Sequence, residues 1–205
     1  MKDVIVIPLR HHALFSYLQS RLIDADISRM YCKEVHYELR GRHYFALAFG
    51  NISGGYEVRN AYYKGCLNNK DISLIRHLTE ETQENVCVFE GFMDFLSYLQ
   101  YAREHPGLPP MNFCILNSTA MAGRSGEFLS RHRLVHAFLD NDEAGRRTLA
   151  ELTRRCPRSQ VIDHAHLYRD YKDLNDFWIA RTRHNDFNEF LQACKKNAMT
   201  AGNEM

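Results

Sequence analysis

Four carboxylates, Glu90, Asp94, Asp140 and Asp142, carry the first hint of chemistry in this chain. They stand in two segments, Val86-Cys-Val-Phe-Glu-Gly-Phe-Met-Asp94 and Leu134-Val-His-Ala-Phe-Leu-Asp-Asn-Asp-Glu-Ala-Gly145. Each segment is an apolar, β-rich run that ends in acids and a glycine, then passes into helical spacing. Apolar runs without alternation suit strands buried on both faces of a parallel sheet. Such strands share one carboxyl edge, and ligands bind there. Glu90 and Asp140 are therefore expected at the ends of neighbouring or near-neighbouring strands, roughly 5–10 Å apart. Asp142, two residues on, turns to the same side as Asp140. Asp94 falls on the first turn of the helix after Glu90.

Acids that converge without a lysine or arginine between them repel one another, and a cation relieves the repulsion. An all-oxygen donor set favours a hard divalent ion. Mg²⁺ takes one or two carboxylates and leaves its other positions to water and phosphate. The competing possibility is that Glu90 and Asp142 are helix-capping acids that act through the macrodipole alone. Taken singly, each acid fits either role. Two strand ends that each combine acids with a glycine favour the metal.

Glu90-Gly-x-x-Asp94, followed after one further β–α unit by Asp140-x-Asp142-x-x-Gly145, resembles the Toprim domain shared by bacterial primases, topoisomerases, certain nucleases and recombination proteins. The resemblance implies Mg²⁺ or Mn²⁺ held by Glu90, Asp140 and Asp142, with Asp94 in support, and chemistry on phosphodiesters or nucleotides. Tyr171-Lys-Asp-Leu-Asn-Asp176 resembles the Lys-Asp-x-x-Asp element that closes the primase version. There Asp173 is a fourth acid or an N-cap, and Lys172 a phosphate contact. Gly54-Gly-Tyr-Glu-Val-Arg59 and Lys64-Gly-Cys-Leu-Asn-Asn69 look like a shortened form of the basic region that precedes Toprim in primases. That likeness puts Arg59 and Lys64 on template or nucleotide. The match is closer to primase-like Toprim proteins of bacterial mobile elements. It implies single-stranded DNA and nucleoside triphosphates as partners, with a helicase or a zinc-ribbon segment, absent from this chain, as others.

The elements that must position these groups follow from pattern. The expected architecture is α/β: a Toprim-like parallel sheet flanked by helices over residues 83–205, ending in a C-terminal helix, with a small N-terminal mixed α/β subdomain over residues 1–82. Residues 4–7 form an apolar lead-in. Leu14, Tyr17, Leu18, Leu22 and Ile23 share a helix face, and a second short helix starts at Asp26 or Ser28 and runs to Val35. Residues 44–49 read as a strand, residues 51–55 as a hairpin turn, and residues 56–63 as an alternating strand. Its wet face carries Arg59, with Lys64 just beyond and Arg40 and Arg42 nearby. Tyr62 and Tyr63 are interleaved with these charges. Such a face can track a phosphate backbone and stack bases, or it is an ordinary solvated sheet face.

Residues 71–84 read as a helical bridge around Ile72, Ile75 and Leu78. After the helix at 92–101 comes a Pro-rich loop at 106–110. A strand at 112–117 follows, with Ser118 and Thr119 at its end near the site. A crossover helix at 123–132 carries Arg124 and Arg131 as solvated charges. Residues 143–155 are a well-marked helix, and 160–167 alternate as a strand. That strand puts His164 and His166 on one face, at a spacing that suits either metal ligands or structural histidines. Helices begin at Lys172 and Asp186.

Composition narrows the class. With 26 Lys and Arg against 25 Asp and Glu, the net charge of +1 excludes a wholesale polyanion binder. Any nucleic-acid surface is a local patch set against the acids. Six cysteines without a Cys-x-x-Cys pair fit a reducing cytoplasm and exclude a zinc ribbon within this sequence. Cys87 and Cys114 read as core residues. Residues 1–8 are too short for a signal peptide, and no apolar run spans a bilayer, so the expected location is cytoplasmic with no membrane partner. The expected function is DNA-primase-type nucleotidyl transfer, primer synthesis on single-stranded DNA, in a replication or mobile-element setting. The alternatives are a Toprim-type nuclease using the same carboxylates with water, and a nucleic-acid-binding module without catalysis.

Overall fold

The antiparallel half of the molecule is a meander built on short turns. In a computed structural model, which describes residues 2–76, 84–104, 108 and 111–181, strands β1 (Lys2–Pro8), β2 (Lys33–Leu39), β3 (Arg42–Gly50), β4 (Tyr56–Arg59) and β5 (Lys64–Leu67) lie side by side in chain order. Arg40 and Gly41 join β2 to β3, with φ of 54° and 73°. That positive pair suits a two-residue hairpin whose twist matches the flanking strands. Helices α1 (His12–Ser20) and α2 (Ala25–Tyr31) are inserted between β1 and β2. The first helix stops short of Leu22 and Ile23 because Leu22 takes a positive φ of 54°. The second ends before Val35, which is a buried residue of β2.

The second sheet contains β6 (Ser73–Ile75), β7 (Asn85–Phe89), β8 (Asn112–Ile115), β9 (Leu134–Phe138) and β10 (Gln160–Asp163) in the order β10-β9-β7-β8-β6. Four strands are parallel, and β6 is an antiparallel edge. Helices α3 (Phe92–Glu104), α4 (Ala122–Leu129), α5 (Glu143–Arg155) and α6 (Leu174–Arg181) complete it. Every residue of β9 is buried, as a strand covered on both faces requires.

The expected helical bridge at 71–84 is corrected by β6. Ile72 and Ile75 match a helical interval, yet hydrogen bonding to β8 draws Ser73–Ile75 into an edge strand. The end of that bridge, the Pro-rich loop apart from Leu108, and the helix from Asp186 lie outside the described residues. The strand at 160–167 is shorter than expected, because residues 165–168 turn into a 3-10 helix. Arg124 is not merely solvated: its guanidinium donates twice to the buried Asp71 carboxylate, at 2.8 and 2.7 Å.

One core joins both sheets. Leu47 and Phe49 of β3 share a cluster with Phe89 of β7 and with Phe92, Phe95 and Tyr98 of α3. The Phe49 and Phe92 rings stack at 5.1 Å. Each such side chain contributes about 1.5–3 kcal/mol by leaving water. Trp178 of α6 donates its indole N–H to the Leu22 carbonyl, which ties the last described helix to the first part of the chain. Among the described residues, no helix is long and apolar enough to cross a membrane.

Candidate active site

Strand β7 pairs in parallel with β9 so that Phe89 lies opposite Phe138. Glu90 follows the first directly, and Asp140 comes two residues after the second. This places both acids at the carboxyl edge. Asp142 is the N-cap of α5, its Oδ1 accepting the Gly145 N–H at 2.9 Å. The capping role foreseen as an alternative is thus real for Asp142, and it leaves the other carboxylate oxygen for a ligand. Gly145 is required here. A Cβ on it would stand 2.0 Å from the Asp140 carbonyl oxygen, so only glycine lets the helix begin against the strand end.

Burial pushes the Glu90 carboxyl up to about 7, and the carboxylates of Asp140 and Asp142 add to the effect. Its Oε2 is buried without a hydrogen-bond partner among the described residues. Asp94, 6 % exposed on the first turn of α3, accepts the Asn175 N–H through Oδ1 at 3.1 Å. Burial, then Asp173 and Asp140, hold its carboxyl well above the usual range. Asp140 is raised by burial and by Asp173, against the pull of Lys172. Asp173 accepts the Asp176 N–H at 2.7 Å, so it caps the start of α6 as the alternative foresaw.

Basic side chains ring these acids. Lys172 Nζ lies 3.5 Å from Asp140 Oδ2. This side chain is 65 % exposed, so it reaches Asp140 from solvent and is not packed between the acids. Arg59 and Lys64 are directly paired across β4 and β5, and Arg59 also faces Leu47 of β3. Paired residues share a sheet face. Both cations therefore project on the Leu47 and Phe49 face, with Lys64 exposed and Arg59 half-buried. Glu57 and Val58 are both buried, on opposite faces. From there Lys64 favours the ionised form of Glu90, and Arg59 that of Asp94.

Two asparagines were not foreseen. Asn141, between the two aspartates, donates its backbone N–H to the Lys172 carbonyl at 2.7 Å and its side-chain amide to the carbonyls of Tyr168 and Tyr171. It fastens the loop that bears Lys172 and Asp173 to the strand end. Asn175 links Asp94, Ser97 and Arg21. The only signal for either was an amide beside an acid in the motif. His164 is a core histidine, its Nε2 2.9 Å from His136 Nδ1. His166 turns away to the Asp163 carbonyl. A cavity of about 290 Å³ between α2, β3, β4 and β6 includes none of the acids.

Residues 87–178 match the family model described as Toprim-like. This part of the chain is a Toprim-like domain. Ahead of it, residues 3–68 match a family described as a domain of unknown function (DUF8464). No curated relative matches the sequence. Solved structures share the fold. The primase fragment of the bacteriophage T7 primase-helicase protein is 18% identical with a TM-score of 0.56, over 83% of this chain and 73% of that one. The Aquifex aeolicus primase, zinc-binding and RNA polymerase domains, is 14% identical with a TM-score of 0.62, over 93% of this chain. The chain spans 57% of that primase structure. A third similar chain, 18% identical with a TM-score of 0.53 over 75% of this chain and 85% of its own, belongs to a bacteriophage T7 assembly of lagging-strand DNA polymerase with primase domains bound to an RNA/DNA hybrid and dTTP.

The site's donor chemistry suits a divalent ion. Its acids are all oxygen donors, three of them are pushed toward protonation by burial and mutual repulsion, and one oxygen lacks a partner among the described residues. Among the described residues no three His, Cys, Asp or Glu side chains close around a single point. An ion held here would take one or two of these carboxylates and complete its shell with water and phosphate.

Proposed function

We propose that the chain carries out metal-dependent nucleotidyl transfer of the DNA-primase type, making short oligonucleotides on single-stranded DNA. The observation that carries this reading is the buried Glu90 Oε2, which has no hydrogen-bond partner among the described residues and lies beside Asp140 and Asp142 at the sheet edge. Glu90, Asp140 and Asp142 would hold Mg²⁺ or Mn²⁺, with Asp173 as a fourth acid and Asp94 as a buried support. When bound, the ion supplies the charge that activates an attacking 3′-hydroxyl and stabilises leaving pyrophosphate.

The chain's own residues supply the rest. Asp94 receives the Asn175 N–H and so sets where α6 begins relative to α3. Asn141 holds the Lys172–Asp173 loop against the strand end. Lys172, on the solvent side of Asp140, offsets charge on a nucleotide triphosphate. Arg59 and Lys64, which form no ion pair within 4 Å among the described residues, face the acids from the antiparallel sheet and take template or nucleotide phosphates. Primase domains among the structural neighbours, one set bound to an RNA/DNA hybrid and dTTP, support this choice.

In this reading residues 1–82 are a primase-like N-terminal subdomain and residues 83–205 the Toprim domain. The protein would work in the cytoplasm on replicating or mobile-element DNA, with a helicase or a zinc-ribbon segment as partner. The test is incubation with single-stranded DNA, nucleoside triphosphates and Mg²⁺ or Mn²⁺. Short oligonucleotides are expected, dependent on nucleotides and absent with an Asp140→Ala, Asp142→Ala double variant. Cleavage of the DNA without nucleotides would make the protein a nuclease. No product of either kind, with DNA binding intact in Asp140→Asn, would leave a binding module.

A further inference from the structure

Tyr62 is 99 % exposed, while its neighbour Tyr63 is 42 % exposed. The Tyr63 ring folds back over β5, where a Cβ on Gly65 would stand 2.2 Å from its hydroxyl oxygen. One ring of the pair thus lies against Gly65 and the other projects into solvent. A lone exposed aromatic is ordinary. This one is mounted on a fixed turn. Asn60 Oδ1 accepts the N–H groups of both Tyr62 and Tyr63 at 2.9 Å, and the Asn60 side-chain amide donates to the Phe45 carbonyl at 2.8 Å. The Asn60 N–H closes the turn on the Tyr63 carbonyl at 2.9 Å.

The turn connects Arg59 to Lys64, the two cations that face the acids. Tyr62 is three residues from one and two from the other, on the order of 10 Å at most along the backbone. A rigid, solvated aromatic beside cations is the arrangement that binds single-stranded nucleic acid: cations track the phosphates, and the ring offers a face to a base. Duplex DNA keeps its bases stacked inside and offers no free base face.

We propose that Tyr62 is a stacking platform for a base of a single-stranded polynucleotide whose backbone passes Arg59 and Lys64. This inference rests on the proposed function insofar as the strand leads to the acids. A free nucleotide carries the same base, so the test includes both sources.

The experiment uses the full chain and a thymidine 15-mer, followed by anisotropy, with Tyr62→Ala, Tyr62→Phe and Tyr62→Trp. Because the ring is solvated, these variants are expected to unfold at the wild-type temperature. Tyr62→Ala should weaken 15-mer binding by about 5- to 100-fold, the range for loss of one base–aromatic contact, while Tyr62→Phe and Tyr62→Trp retain it. The chain's single tryptophan, Trp178, is buried, so the introduced indole reports as a separate, solvent-exposed emitter. The 15-mer should quench it, and dTTP at equal base concentration should not. Equal binding by Tyr62→Ala and wild type, or quenching by dTTP and not by the 15-mer, would overturn the assignment and leave the proposed function standing. Absence of 15-mer binding by the wild type would overturn both.

Discussion

Phe138 of β9 stands opposite Phe89 of β7 in parallel register, their rings stacked at 5.2 Å. This core pairing sets the separation of the two acids beyond it. A slip of one residue would turn every side chain on β9 to the opposite face and carry Asp140 away from Glu90. The site is therefore positioned by apolar packing underneath it, and the acids contribute repulsion that the packing overcomes.

Gly145→Ala should damage both stability and the site. The added methyl meets a backbone carbonyl, which cannot rotate away, so α5 must shift from Asp140. Overpacking of this sort costs about 1–3 kcal/mol. Urea unfolding should show that loss, and primer synthesis should fall at least as far as in Asp142→Ala.

Asp94→Asn should leave stability almost unchanged, within about 1 kcal/mol. The carboxyl is held toward its neutral form, and an amide oxygen accepts the Asn175 N–H equally well. Asp94→Ala leaves that buried N–H without an acceptor, a loss of about 1–3 kcal/mol. Denaturant titration of the two variants side by side checks the difference.

Asp71→Ala should cost more than Arg124→Ala. Asp71 is 1 % exposed and accepts from Ser53, the Ile72 N–H and Arg124, whereas the arginine is 59 % exposed. Removing the acid strands the buried Ile72 N–H, a loss of about 1–3 kcal/mol, whereas the exposed Ser53 hydroxyl turns to water. The Arg124 guanidinium remains accessible to water. Thermal unfolding of both variants ranks them.

The His136 and His164 pair makes stability fall with acidification. Burial pushes His136 down to about 4 and His164 to about 3, so the folded state keeps both neutral where the unfolded chain has begun to protonate. Below about pH 6.5 the unfolded state binds more protons, and stability drops as pH falls toward 4. Urea midpoints at pH 7.5 and 5 should show the decline. It should flatten in His136→Gln relative to wild type.

The sequence was most legible where local pattern and tertiary structure agree. Residues 143–155 form the foreseen helix because cap, apolar spacing and basic C-terminus all point to one element. Glu90 and Asp140 fall at neighbouring strand ends because unbroken apolar runs leave few topologies. Strand β6 was illegible: three residues with a helical interval take their structure from β8, some forty positions away. The Asp71–Arg124 pair could not be read either, since its partners are 53 residues apart. Arg59 and Lys64 share the face of Leu47 and Phe49, a placement that strand pairing sets and local alternation does not reveal.

The most direct measurement is Mn²⁺ titration followed by electron paramagnetic resonance, on wild type, Glu90→Gln and Asp140→Asn. Saturable binding is expected for the wild type, weakened about tenfold or more in each variant, with circular dichroism spectra unchanged. Saturable binding of equal strength in all three proteins, or none by the wild type in the presence of nucleotide, would contradict a cation held at this sheet edge.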